Sequence, residues 1–212
     1  TEVSMKVTIG FTLERLGFTA AGGLLALLAA QLFWPVWERR VFPGLLARAL
    51  RANRDYLHLL GARVAAGGAY DDPAIAAKRA AEVANSAVFA SLQRMAADPK
   101  NQQAGLDEAA ALANGNQRLT RALTVVALHL TPGHALDRPE LARFAAVGAA
   151  SLDHLAAAIE TAQPDPARLS ELRNALDDLA LPAPTGSDRS TLEHSVYAQF
   201  ARCVTELSAM LL

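Results

Sequence analysis

Cysteine is nearly absent from this chain of 212 residues. Cys203 is the only one, so no disulfide can form within the chain, and a reducing compartment suits it. Neither sign of charge dominates, because 20 basic and 21 acidic residues leave a net charge of −1. That balance removes any argument for a nucleic-acid partner that rests on bulk charge, and we expect no such partner.

Motifs for metal binding and catalysis are also absent. The five histidines show no His-x-x-x-His or Glu-x-x-x-His spacing, so the sequence predicts no metal site. There is no glycine-rich phosphate loop and no nucleophile elbow. We therefore expect a protein that is not an enzyme and carries no cofactor. A soluble all-helical enzyme remains the alternative if the apolar segment described next is buried in protein.

Charge disappears altogether over residues 16–37, a run of 22 positions that is followed by Glu38. A helix of that length spans about 33 Å, enough for a hydrocarbon layer of ~30 Å. Trp34 and Trp37 lie at its far end, where amphipathic rings favour the headgroup level, and arginines follow, which marks the cytoplasmic side. We predict a transmembrane helix here; the alternative is a buried helix of a soluble bundle. The arginines, which could also meet anionic lipid, are Arg39, Arg40, Arg48, Arg51 and Arg54.

After residue 38 no strand-like alternation occurs, and apolar residues recur at three- and four-residue steps, which predicts six amphipathic helices. Asp72-Pro73 and Asp165-Pro166 are typical helix starts, and Asn114-Gly115-Asn116 predicts a local kink. One helix is expected to bury the stripe Leu46, Leu50, Asn53, Leu57, Leu60 and Val64. Breaks are expected near residues 67–71, 98–104, 131–137, 162–165 and 181–189.

The predicted fold is therefore all-α, with one transmembrane helix followed by a cytoplasmic helical bundle. Its parts are residues 1–15 as a loop or the end of a preceding membrane segment, 16–37 as the span, and 38–212 as the bundle. Because the chain begins at Thr1 rather than at methionine, we expect a piece of a longer protein.

Small residues occupy many apolar positions of the bundle, notably Ala77, Ala81, Ala84 and Gly148. They let helices approach closely but bury little area each, so we expect the bundle to pack on a neighbour, most simply as a homo-oligomer. The helix over residues 74–97 is the expected interface.

Three segments carry a family resemblance. The first is an Arg-x-x-(Asp/Glu)-Thr-x-x-Gly pattern and an apolar run closed by Trp-Pro, matched by Arg15, Thr19, Gly22, Trp34 and Pro35. Phe18 stands at the acidic position, so an Arg–carboxylate pair would have to use Glu14. The second is LLARALRANRDYLHLL at residues 45–60, of the type LxxALxANxxYL. The third is an Arg/Ala-rich helix that ends with Met95, Asp98 and Pro99.

In this order, the segments resemble the fusaric-acid-resistance and aromatic-acid-exporter family of bacterial inner-membrane proteins. The resemblance implies the last span and cytoplasmic domain of an efflux transporter for aromatic carboxylic acids or related toxic compounds, driven by an ion gradient. Its expected partners are the lipid bilayer and the rest of the transporter. The alternative is a membrane-anchored helical interaction or scaffold module without transport activity. Polar side chains within a span are functional candidates, so Arg15, Thr19 and Gln31 are the expected substrate-binding residues.

Overall fold

The computed structural model describes residues 2–33, 38–98, 100, 103, 105–130, 132–133, 139–178 and 191–211. These residues form seven α-helices and no strand, which confirms the all-helical prediction. The helices are α1 Glu2–Phe33, α2 Glu38–Ala66, α3 Asp72–Ala97, α4 Leu106–Leu128, α5 Pro139–Thr161, α6 Pro166–Asp177 and α7 Thr191–Met210. Each of the five expected breaks falls between two of the six helices after residue 38.

The chain divides into two compact units, residues 1–37 and 38–212. In the first unit α1 already begins at Glu2, so the residues expected as a loop or the end of a preceding segment are helical and continuous with the apolar run. Every side chain that the structure describes in α1 is exposed, from Phe11 to Ala29. That segment is long and apolar enough to cross a membrane.

The second unit is a bundle built around α2, which packs on α3, α4 and α5, while α7 packs chiefly on α4. Regular three- and four-residue spacing places the α2 stripe on one face, as predicted. Its members are all buried: Leu46, Leu50, Asn53, Leu57, Leu60 and Val64. The bundle therefore has its own apolar core.

The α3 start differs by one residue from the expectation. Asp71, not Asp72, is the N-cap, and its side chain accepts a hydrogen bond from the Ala74 amide at 3.3 Å. Arg63 at the end of α2 pairs with the same carboxylate at 2.6 Å. Asp71 therefore both caps α3 and forms an ion pair with the end of α2. The Asp165 cap of α6 stands where the sequence placed it.

Small residues mark the closest helix contacts. A Cβ added at Gly148 of α5 would lie 2.8 Å from Leu57 Cδ2 and 3.2 Å from Leu207 Cδ1. Ala81 is fully buried in the bundle, whereas Ala84 is only partly buried. Gly148 and Ala81 therefore serve packing within the bundle. Of these small residues, the partly buried Ala84 remains available for contact with a neighbouring molecule.

The expected kink at residues 114–116 is not a break, because α4 continues from Leu106 to Leu128. Gly115 instead lets α7 approach: an added Cβ would meet Met210 Cγ at 2.7 Å. Asn116 points into the core and is fully buried, whereas Asn114 is exposed. In the segment Asn114-Gly115-Asn116, Gly115 therefore permits a close contact between α4 and α7, and Asn116 contributes a buried side-chain amide.

Candidate functional site

Among the residues that the structure describes, α1 is the first place that offers polar groups in an apolar setting. Arg15, Thr19 and Gly22 lie at positions i, i+4 and i+7 and so share one helix face. The Thr19 hydroxyl donates to the Arg15 carbonyl at 2.9 Å, and the Arg15 guanidinium lies 5.8 Å from the centroid of the Phe11 ring. Thr19 is thus satisfied by its own helix, while a side chain at Gly22 would meet open space.

Of the other sequence-predicted residues, Met95 and Asp98 lie at the end of α3 in the bundle. Met95 is a core residue of the bundle at 3% exposure. Asp98 ends α3, with its backbone N–H donating to the Arg94 and Met95 carbonyls. Met95 therefore serves helix packing, and Asp98 serves helix termination. The Gln31 side chain and the residues Trp34, Pro35, Trp37 and Pro99 lie outside the part that the structure describes.

Two of the arginines expected near a membrane surface form ion pairs within the bundle. Arg51 forms two hydrogen bonds with Glu160 of α5, at 2.7 and 2.6 Å. These bonds lower the pKa of Glu160 and raise that of Arg51. Arg54 pairs with Asp153, which also lies on α5. Arg51 and Arg54 therefore link α2 to α5.

The second place is a buried polar ring between α2, α3 and α4. The Asn53 amide donates to Asn116 Oδ1 at 2.7 Å, the Asn116 amide to Asn85 Oδ1 at 3.0 Å, and the Asn85 amide to Thr120 Oγ1 at 2.9 Å. The Thr120 hydroxyl closes the ring onto Asn53 Oδ1 at 2.8 Å. All four residues are at most 5% exposed. The ring fixes the relative positions of three helices, because moving one would leave buried amides unpaired.

Sequence reasoning found only one member of this polar ring. The apolar spacing of α2 predicts that Asn53 is buried, but it does not identify the partners of its amide. Asn85 follows the buried Ala81 by four residues, and its amide also donates to the Ala81 carbonyl at 2.9 Å. An asparagine in step with an apolar stripe is the signal that could have found it.

A groove of about 700 Å³ opens beside the ring, between α3 and α4. Asn85 and Thr120 form its floor. Its walls include Glu82, Phe89, Gln93, Gln117, Arg121 and Val125. The groove combines one guanidinium, one carboxylate, three side-chain amides and apolar surface, which suits ligand binding.

A smaller groove of about 480 Å³ lies between α2 and α3. It is largely apolar, with Leu45 and Ala84 in its lining and Val83, which is 70% exposed, at its edge. Arg48 and Arg79 flank it. A surface of this kind is suited to a protein contact.

Reactive groups are scarce among the residues that the structure describes. No group of three or more metal-ligating side chains occurs there. Cys203 is fully buried, and burial raises the pKa of its thiol to about 12. Such a thiol stays protonated and unreactive at neutral pH.

Comparisons with protein-family models, with curated proteins and with solved structures find no match for the chain.

Proposed function

We propose that the chain is the last transmembrane helix and the cytoplasmic domain of a bacterial inner-membrane efflux transporter for aromatic carboxylic acids or related toxic organic compounds. The single observation that carries this proposal is α1, whose side chains from Phe11 to Ala29 are exposed and mostly apolar. Every residue recorded as buried lies in the bundle, between Phe42 and Leu211. Such a helix needs lipid or other helices around it.

The face formed by Arg15, Thr19 and Gly22 favours a span among other spans over a lone anchor. An arginine in the hydrocarbon layer costs about 2.5–3.5 kcal/mol on insertion scales near the centre and less towards the end. Gly22 would let another helix approach closely. A span that carries both features is better suited to a multi-helix membrane protein, in which Arg15 meets an anionic substrate or a facing helix.

Within this proposal the bundle serves assembly. Val83 is exposed and Ala84 is half-buried, so apolar surface beside the α2–α3 groove is left uncovered by the described residues of the bundle. A second copy of the domain would cover it and place two transporter chains side by side. Regulation by the same domain is compatible with this role.

Efflux from cells tests the proposal. The coding sequence that contains this chain is expressed in an efflux-deficient bacterium loaded with radiolabelled 4-hydroxybenzoate, and retained label is followed with and without a protonophore. We expect faster loss of label than from empty-vector cells, abolished by the protonophore. Arg15→Ala should slow it severalfold, whereas Arg40→Ala, an exposed arginine after the span, should not.

Two results would count against transport. Equal retention in expressing and empty-vector cells, with the protein present in the membrane, would favour the anchored scaffold module. Equal export by wild type and Arg15→Ala would leave transport standing but remove Arg15 from the substrate path.

A further inference from the structure

We propose that the groove between α3 and α4 is a binding site for a small organic anion with an apolar body. The site lies in the bundle and is separate from the Arg15 face of α1. It goes beyond the proposed function and does not depend on it, because it would bind its ligand whether or not the protein transports anything.

Arg121 supplies the anion-binding end. It is exposed on α4 and has no ion pair or side-chain hydrogen bond with any residue that the structure describes. Two other arginines of the bundle are engaged: Arg51 pairs with Glu160, and Arg118, less than one turn before Arg121, pairs with Glu206 at 2.7 Å. A guanidinium at the edge of a cavity that pairs with none of the described residues can bind a carboxylate, sulfonate or phosphate group.

Glu82 is the carboxylate in the groove, and it is engaged by its own helix. Lys78, one turn earlier on α3, pairs with it at 3.3 Å. Arg121 lies within the same lining but is not its partner. Glu82 would still repel an anion weakly, so its removal should strengthen binding.

The rest of the groove suits an apolar body. Phe89 is half-buried against the core, and Val125 adds apolar surface on α4. The amides of Gln93 and Gln117 offer polar contacts along the walls. Both hydrogens of the Asn85 amide are already used, by Thr120 and by the Ala81 carbonyl, so the floor is held rigid and presents little unmet polarity. The volume of about 700 Å³ is within the range of small-molecule sites.

A pair of probes that differ only in charge tests the site. Binding of 2-naphthalenesulfonate and of neutral 2-naphthalenesulfonamide is measured by calorimetry on the full chain in nanodiscs of zwitterionic lipid, with empty nanodiscs as the blank. A charge-assisted hydrogen bond predicts that the sulfonate binds at least about tenfold more tightly. Arg121→Gln should abolish that preference while binding of the sulfonamide stays unchanged, and Glu82→Gln should strengthen binding of the sulfonate.

Two further variants locate the site. Arg79→Gln alters the α2–α3 groove and should leave both probes unaffected. Ala90→Trp fills the α3–α4 groove and should weaken both probes; Gln93→Trp, at an exposed position, provides the same test if the first variant folds poorly. The proposal is overturned if wild type shows no preference for the sulfonate, if Arg79→Gln rather than Arg121→Gln removes that preference, or if the folded tryptophan variant binds as wild type does.

Discussion

The two longest helices of the chain, α1 and α2, use their apolar residues in opposite ways. α1 has 32 residues and α2 has 29. Ten residues of α2 are buried, and this helix packs on α3, α4 and α5, whereas none is buried among those described in α1. The difference teaches that α2 is stabilised by the bundle, while α1 must find its apolar surroundings elsewhere.

The largest expected effect comes from replacing one glycine in each unit, Gly148 in the bundle and Gly22 in α1. Gly148→Leu should unfold or strongly destabilise the bundle, by about 3 kcal/mol, because its side chain would overlap Leu57 and Leu207. In the chain by itself, Gly22→Leu should leave the stability of the bundle unchanged, because nothing lies within 4 Å of the added Cβ. Thermal melts followed by circular dichroism measure both. Equal losses for the two variants would mean that α1 is packed as tightly as the bundle.

The polar ring is the next test. Asn116→Leu should cost about 2–3 kcal/mol, because Asn85 Oδ1 loses its donor and the Asn53 amide loses an acceptor. Asn114→Leu, at an exposed position two residues earlier, is the matched control and should have little effect. Urea unfolding gives both values. A ring that merely fills space would give similar values for the two variants.

The small-residue face of α3 predicts an effect on association. Ala84→Leu should weaken contact between copies by about 1–3 kcal/mol if a second domain covers the α2–α3 groove. Light scattering should show a lower oligomeric mass with an unchanged melting temperature, and Ala76→Leu, exposed on the same helix, should change neither. An unchanged mass with a lowered melting temperature would show that Ala84 serves only the domain's own core.

The smallest expected effect concerns pH. Hydrogen bonds from Arg94 and Ser91 lower the pKa of Glu38 below its usual 4.5. A depressed folded-state pKa stabilises the protein above the unfolded-state value, and this contribution is lost as pH falls through the folded-state value. The stability difference between wild type and Glu38→Gln should therefore shrink as pH drops below 4.5. Glu108→Gln, exposed on α4, is the control; a difference that stays constant with pH would contradict the assignment.

Much of the fold could be predicted from the sequence, because helix periodicity and Pro or Gly breaks are local. The buried stripe of α2, Asn53 included, is one example. The ring around Asn53 could not be predicted, because its partners Asn85, Asn116 and Thr120 come from two other helices and meet only through tertiary packing. Neither groove could be predicted, for the same reason.

The α3 cap shows a local limit. Asp71 and Asp72 are adjacent and chemically identical, so the sequence alone does not show which of them caps α3. In the structure Asp71 is the N-cap, and it also pairs with Arg63, eight residues earlier. On α1, by contrast, the sequence suggested Arg15 and Thr19 as site residues, and the structure adds that they share a face with Gly22 without supplying a partner for that face.

The central claim is that α1 is embedded in a membrane and that the bundle is exposed to water. Cysteine labelling tests this claim most directly. The native Cys203 is buried with a raised pKa and gives little background. Single variants Leu25→Cys and Asp107→Cys, both at exposed positions, are treated with a membrane-impermeant maleimide in inverted vesicles and in intact cells. The account predicts that Asp107→Cys is labelled only in inverted vesicles and that Leu25→Cys is labelled in neither until the membrane is dissolved. Labelling of Leu25→Cys as fast as Asp107→Cys in inverted vesicles would contradict it.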